Sequence, residues 1–136
     1  MGLQERRAVK KFQDDIFPGL KKKVDEAAAF EVAMEIDWES LGIEEMTHLY
    51  EDSFPKVYFQ PLINGFKEIC IDDMGKEALR AGLKKVVICN RMGNYSAGSA
   101  INFDGGVLTI DHLPTTNIDD VRDRTKAVVE VISKKL

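Results

Sequence analysis

Two dipeptides near the C-terminal half, Asn90-Arg91 and Asp111-His112, carry the side chains best suited to chemistry. Each ends an apolar, strand-like run. An imidazole titrates near neutrality and can act as a general base when a carboxylate orients it. Neighbouring residues on a strand point to opposite faces, however, so Asp111 orients His112 only if the strand has already ended. Between the two dipeptides lies Arg91-Met92-Gly93-Asn94-Tyr95-Ser96-Ala97-Gly98, longer than the usual hairpin loop of about two to five residues. Its glycines, amides and aromatic ring suit a ligand site, and Asn90, Asn94, Tyr95, Asp111 and His112 form the candidate binding group. The loop matches neither the phosphate-loop nor the dinucleotide-binding spacing.

Other reactive side chains lack partners. Asp72-Asp73 with Glu68 and Glu77 makes an acidic cluster, but helix capping accounts for it and the alternating oxygen ligands of a calcium loop are absent, so no metal site is assigned. His48 stands in EEMTHLYED without a second histidine four residues on, which excludes the zinc-protease pattern. Ser96 and Ser99 lack the setting of a hydrolase nucleophile. Cys70 and Cys89 lie in separate apolar runs with no CxxC or Cys/His spacing, and read as buried thiols. No pattern requires a cofactor, and no catalytic signature stands out.

Composition narrows the classes. With 136 residues the chain is long enough to bury one substantial core without metal or disulfide. Acidic residues outnumber basic ones, 23 to 19, giving a net charge of −4 that argues against nucleic-acid and anionic-membrane partners. The run Lys21-Lys22-Lys23 reads as a solvated face. The charged N-terminal segment MGLQERRAVKKF resembles neither a signal peptide nor a membrane span, and Arg6 stands where myristoylation favours Ser or Thr, so a cytoplasmic location is expected.

The elements that must position these groups follow from periodicity. Val9, Phe12, Ile16, Leu20 and Val24 recur at helical spacing, kinked near Phe17 by Pro18-Gly19. Phe30, Val32, Met34, Ile36 and Trp38 alternate with polar residues, which predicts a strand over 30–38 with Glu31 and Glu35 in water. Asp37 and Ser40 offer caps for a helix carrying Ile43, Met46, Leu49 and Tyr50, which Ser53-Phe54-Pro55 ends. Phe59, Leu62, Ile63, Phe66, Ile69 and Cys70 then mark a central core helix, and Pro61 suggests that its start is a separate short turn. Asp72-Asp73 caps a short helix that Gly82 ends in a left-handed conformation. Residues 85–112 read as a three-stranded meander, with Asp104-Gly105-Gly106 as a tight hairpin turn. Thr116 or Asn117 caps a last helix bearing Val121, Thr125, Val128, Ile132 and Leu136.

The pattern predicts a single α+β domain over residues 1–136: a four-stranded, mostly antiparallel sheet, strand 30–38 plus the meander 85–112, covered by helices on one face. For function, the leading expectation is a small cytoplasmic binding or regulatory domain acting through protein contacts, with self-association as a homodimer one form of it. Trp38, Tyr50, Phe54 and Tyr58 are the candidate interface aromatics. The alternative is a small enzyme or small-molecule binder at the sheet edge beside the 91–98 loop.

Overall fold

A computed structural model describes residues 1–136. Helices α1 (Leu3–Asp15) and α2 (Phe17–Ala28) meet at Ile16, and Pro18 falls in the first turn of α2, where its missing N–H costs no hydrogen bond. Val9, Phe12 and Val24 of this pair are buried, as their spacing requires. Strand β1 (Met34–Ile36) is shorter than the predicted 30–38. The amide of Val32 donates to Asp25 Oδ1 at 3.0 Å instead of to a neighbouring strand, so ladder pairing starts only at Ala33. The alternation still holds: Val32 is buried, Phe30, Met34 and Ile36 pack against the core, and Glu31 and Glu35 are exposed.

After β1, Asp37 caps a single 3-10 turn, Trp38–Leu41, and a second such turn covers Thr47–Leu49. Met46, assigned to an inner stripe by its spacing, is exposed. Helix α3 (Tyr50–Phe54) does not stop at Pro55. It runs through a widened turn over Pro55–Phe59, where Gln60 N–H donates to Pro55 O, into α4 (Gln60–Ile69). A turn of this kind relaxes the hydrogen-bond spacing that a proline ring disrupts, so the helix passes both Pro55 and Pro61. Asp72 caps α5 (Asp73–Gly82) by accepting from Gly75 N–H at 2.8 Å. Gly82 is helical, not left-handed, and the chain leaves the helix through an extended Leu83.

Strands β2 (Lys85–Cys89), β3 (Ile101–Asp104) and β4 (Val107–Asp111) complete the sheet, with a short helical turn, α6 (Ala97–Ala100), before β3. The hairpin forms as expected, with positive φ at both Gly105 and Gly106. The meander does not. Strand order is β1-β2-β4-β3, with β1 parallel to β2, β2 parallel to β4, and only β3 and β4 antiparallel, so the sheet is mixed and mostly parallel. The long segment after β2 lets the hairpin swing round and seat β4 beside β2. In β4 every second residue, Leu108 and Ile110, is fully buried, whereas β3 exposes Asn102 and Asp104. The less polar strand takes the centre and the polar one the edge, where charge also discourages pairing with other chains.

Helix α7 (Val121–Ser133) begins after Asp120, three residues beyond Asn117. All helical packing falls on one side of the sheet. Val86, Ile88, Ile101, Phe103, Leu108 and Ile110 join Phe54, Tyr58, Phe59, Leu62, Phe66, Val128 and others in a single cluster of 27 buried residues.

Candidate functional site

Because β1, β2 and β4 run parallel, their C-terminal ends meet at one edge and bring together Asp37, Asn90-Arg91 and Asp111-His112. Ser40, in the turn after β1, accepts from Asn90 N–H through Oγ at 3.0 Å and from Asn90 Nδ2 through its carbonyl at 3.3 Å. Arg91 reaches back to Asp37 Oδ2 with Nε at 3.3 Å and Nη2 at 3.1 Å. Asp111 Oδ1 accepts from the backbone N–H of Arg91 at 2.8 Å and of Met92 at 3.3 Å. Asn94 donates to Asp111 O at 3.0 Å, and its own carbonyl accepts from Leu113 N–H at 2.8 Å. The start of the 91–98 loop is therefore stitched to two strand ends.

Two reactive side chains lie beneath the stitching. Cys89 is buried, and burial, reinforced by Asp111 and opposed by Arg91, pushes its thiol up to about 11. His112 is fully buried, which holds its imidazole below the ordinary range despite a contact of 2.6 Å between Nδ1 and Leu113 O. A carbonyl can only accept, so Nδ1 carries the proton, and Nε2 has no partner. Tyr58 donates to His112 O at 2.5 Å, and burial raises its phenol well above the usual value. Arg124 of α7 is buried nearby and donates to the carbonyls of Asn117 (2.8 Å), Ile118 (2.5 Å) and Lys56 (3.3 Å).

This arrangement holds the loop; it does not form an acid–base pair. Asp111 spends its carboxylate on backbone amides, and His112 faces the interior without a carboxylate beside Nε2. Of the residues singled out in the sequence, Asn90, Asn94 and Asp111 are joined by this network, His112 lies under it, and Tyr95 stands outside it, 62% exposed. Tyr50, Phe54 and Tyr58, proposed as interface aromatics, have at most 1% exposure and belong to the core, where Phe54 packs on Phe12, Tyr50 and Tyr58. They offer a partner no surface, because the continuous helix over 50–69 turns this face inward. Trp38 is half-buried against Phe12 and Phe17. Nowhere do three His, Cys, Asp or Glu side chains gather as metal ligands. No helix is long and apolar enough to cross a membrane. Arg124 was missed by sequence reading although it stands four residues before Val128, on the buried face of α7, a position that signals an inward charge.

The opposite face of the sheet carries no helix, although at its C-terminal end Cys89, paired with Asp111, is buried. Strand alternation sends Glu35, Val87, Thr109 and Asn102 outward in one cross-strand row, and Lys85, Val107 and Asp104 in the next. Val87, Thr109 and Val107 are half-buried, and neither valine belongs to the core cluster or packs against it. In comparisons with known proteins, no family model, curated protein or solved structure matches the chain. The polar stitching at the strand ends and the uncovered sheet beside it are thus the two features on which a functional reading rests.

Proposed function

We propose that the chain is a small binding domain that acts through protein contacts, and that its contact surface is the uncovered sheet face, occupied by a second copy of the chain. The observation that carries this reading is a mostly parallel sheet with one face that carries no helix. Parallel sheets are ordinarily covered on both sides, and Val87 and Val107 lie half-buried on the side without helices, outside the core cluster. Around them Glu35, Lys85, Asn102 and Asp104 give an apolar centre with a polar rim, the usual anatomy of a protein contact.

Charge favours a copy of the same face. Glu35 pairs with Lys85 at 3.0 Å and Asp104 with Lys135 at 3.7 Å, so two such faces meet without net repulsion although the chain as a whole carries −4. Face-to-face sheet packing by a two-fold axis is a common geometry. Sedimentation equilibrium tests it. Wild-type protein is expected to dimerise with rising concentration and Val87→Lys to remain monomeric with its fold intact, since residue 87 contributes nothing to the core. A monomeric wild type, or a dimer insensitive to Val87→Lys and Val107→Lys, overturns the proposal.

A second reading, a small-molecule binder or small enzyme near the strand ends, has one supporting observation: a cleft of about 410 Å³ between residues 95–98 and α7, lined by Tyr95 with Ser96, Asn117 and Arg124 but not by Asn90, Asn94, Asp111 or His112. In open α/β sheets ligands commonly bind beyond the carboxyl ends of the strands. A fragment screen in which amide shifts cluster at residues 95, 96 and 117 would favour it.

A further inference from the structure

Helices α2, α4 and α5 enclose a cleft of about 590 Å³ in the helical layer, away from the uncovered sheet face. Lys23, Lys67 and Lys76 line it, all exposed at their ends. Lys10, Lys21, Lys56, Lys85 and Lys135 each have a carboxylate within 4.0 Å, whereas none of these three does. Glu26 is the one acidic side chain lining the cleft, and it too makes no ion pair. In a chain of net charge −4, this leaves a concave site with two more positive charges than negative.

Between the lysines the lining is mixed, with Glu26 and Gln60 beside Ala27, Ala29, Ile63 and Cys70. Ala27, Ile63 and Cys70 contribute small, nearly buried patches, and the Cys70 thiol points to Ala28 O at 3.6 Å, so it does not compete for a ligand. Cations beside apolar patches complement a molecule with a negative head and a hydrocarbon segment, because the head gains Coulomb attraction while the segment leaves water. The volume falls within the range of about 300 to 1,000 Å³ usual for small-molecule sites.

We propose that this cleft binds an amphiphilic organic anion, its charged group held by Lys23, Lys67 and Lys76 and its apolar segment laid on Ala27, Ile63 and Cys70. The site is separate from the dimer surface proposed above, so either can fail without the other. The probes are decanoate, decanol of equal chain length, and inorganic phosphate, titrated into the full chain while amide shifts are followed by NMR. Decanoate should give saturable shifts at residues 27, 63 and 70, with decanol and phosphate each at least about tenfold weaker. The double variant Lys67→Glu with Lys76→Glu should weaken decanoate at least about tenfold without changing the melting temperature, and Lys67→Gln with Lys76→Gln should fall between. Equal affinity for decanol would make the site merely greasy, and equal affinity for phosphate would make it merely charged. Either result overturns the proposal, as do undiminished binding in the charge variants or shifts that do not saturate.

Discussion

Removing the Arg124 side chain should be among the most damaging single substitutions in the protein. The residue is 1% exposed, its guanidinium has no carboxylate in an ion pair with it, and it bonds three backbone carbonyls from two places: Lys56 in the long helix, and Asn117 and Ile118 in the connection to α7. Burial pulls its pKa down from the ordinary value, with Asp120 the leading group opposing, so the folded state bears part of the cost of hiding a cation. In Arg124→Ala that cost disappears, but three carbonyls lose their donor at about 1 to 3 kcal/mol each, and a void opens. The balance should be a net loss of about 3 to 5 kcal/mol, the range for deleting one member of a buried charged network. This is a large part of the total stability of about 5 to 15 kcal/mol expected for a domain. Arg124→Met, which fills the space but donates nothing, should recover part of the loss. Urea unfolding gives the magnitude, with the exposed neighbour Arg122→Ala as a near-neutral control. Hydrogen exchange should accelerate first at residues 113–120. A loss below about 1 kcal/mol for Arg124→Ala, or unchanged exchange in that segment, would refute the view that this side chain fastens the connection between β4 and α7.

Phe66→Ala should cost about 3 to 5 kcal/mol because its ring is fully buried on α4, while Lys67→Ala next to it should change stability little; similar small effects in urea would mean α4 is not central. His112 should make the protein acid-sensitive. Burial, with Arg124 adding to it against Leu113 O, Asp120 and Asp111, lowers its pKa from 6.5, so as pH falls below about 6.5 the unfolded chain takes up a proton that the folded one resists. Stability is thus full above that pH and declines toward the lowered folded value, and His112→Gln should flatten this part of the profile; an unchanged slope would count against it. With its pKa at about 11, the Cys89 thiol should react with an aromatic disulfide at pH 8 about two orders of magnitude more slowly than an exposed cysteine; burial, which also raises Cys70, should slow that thiol as well, and denaturant should abolish both differences.

The local half of the fold was legible and the long-range half was not. Helical stripes, the Asp72 cap, the Gly105-Gly106 turn and the outward Glu31 and Glu35 each depend on residues close in sequence, whose spacing states the answer. Strand order depends on which surfaces meet across the whole chain. Nothing local in 85–112 states that β4 sits beside β2, although the contrast between Leu108 and Ile110 in one run and exposed Asn102 and Asp104 in the other was a usable hint. The prolines misled in the same way: Pro55 reads as a helix end until tertiary packing holds a widened turn around it. At the strand ends, types and places were readable for Asn90, Asn94 and Asp111. Their role as internal fasteners was not, because it requires the strand pairing that brings Asp111 to Arg91 and Asn94, and Ser40 from a distant segment for Asn90.

The pairing of β1 with β2 joins Met34 to Val86 across all of α3, α4 and α5, whereas the β3–β4 hairpin closes through two glycines. Loop closure makes the first slow and the second fast, on the scale of microseconds for a hairpin, so the order of assembly is set by chain entropy. Until the three helices collapse, one side of β2 has no neighbour. Its run of Val86, Val87 and Ile88 is then a free edge that a second unfolded chain can occupy, and the yield on refolding should fall as protein concentration rises.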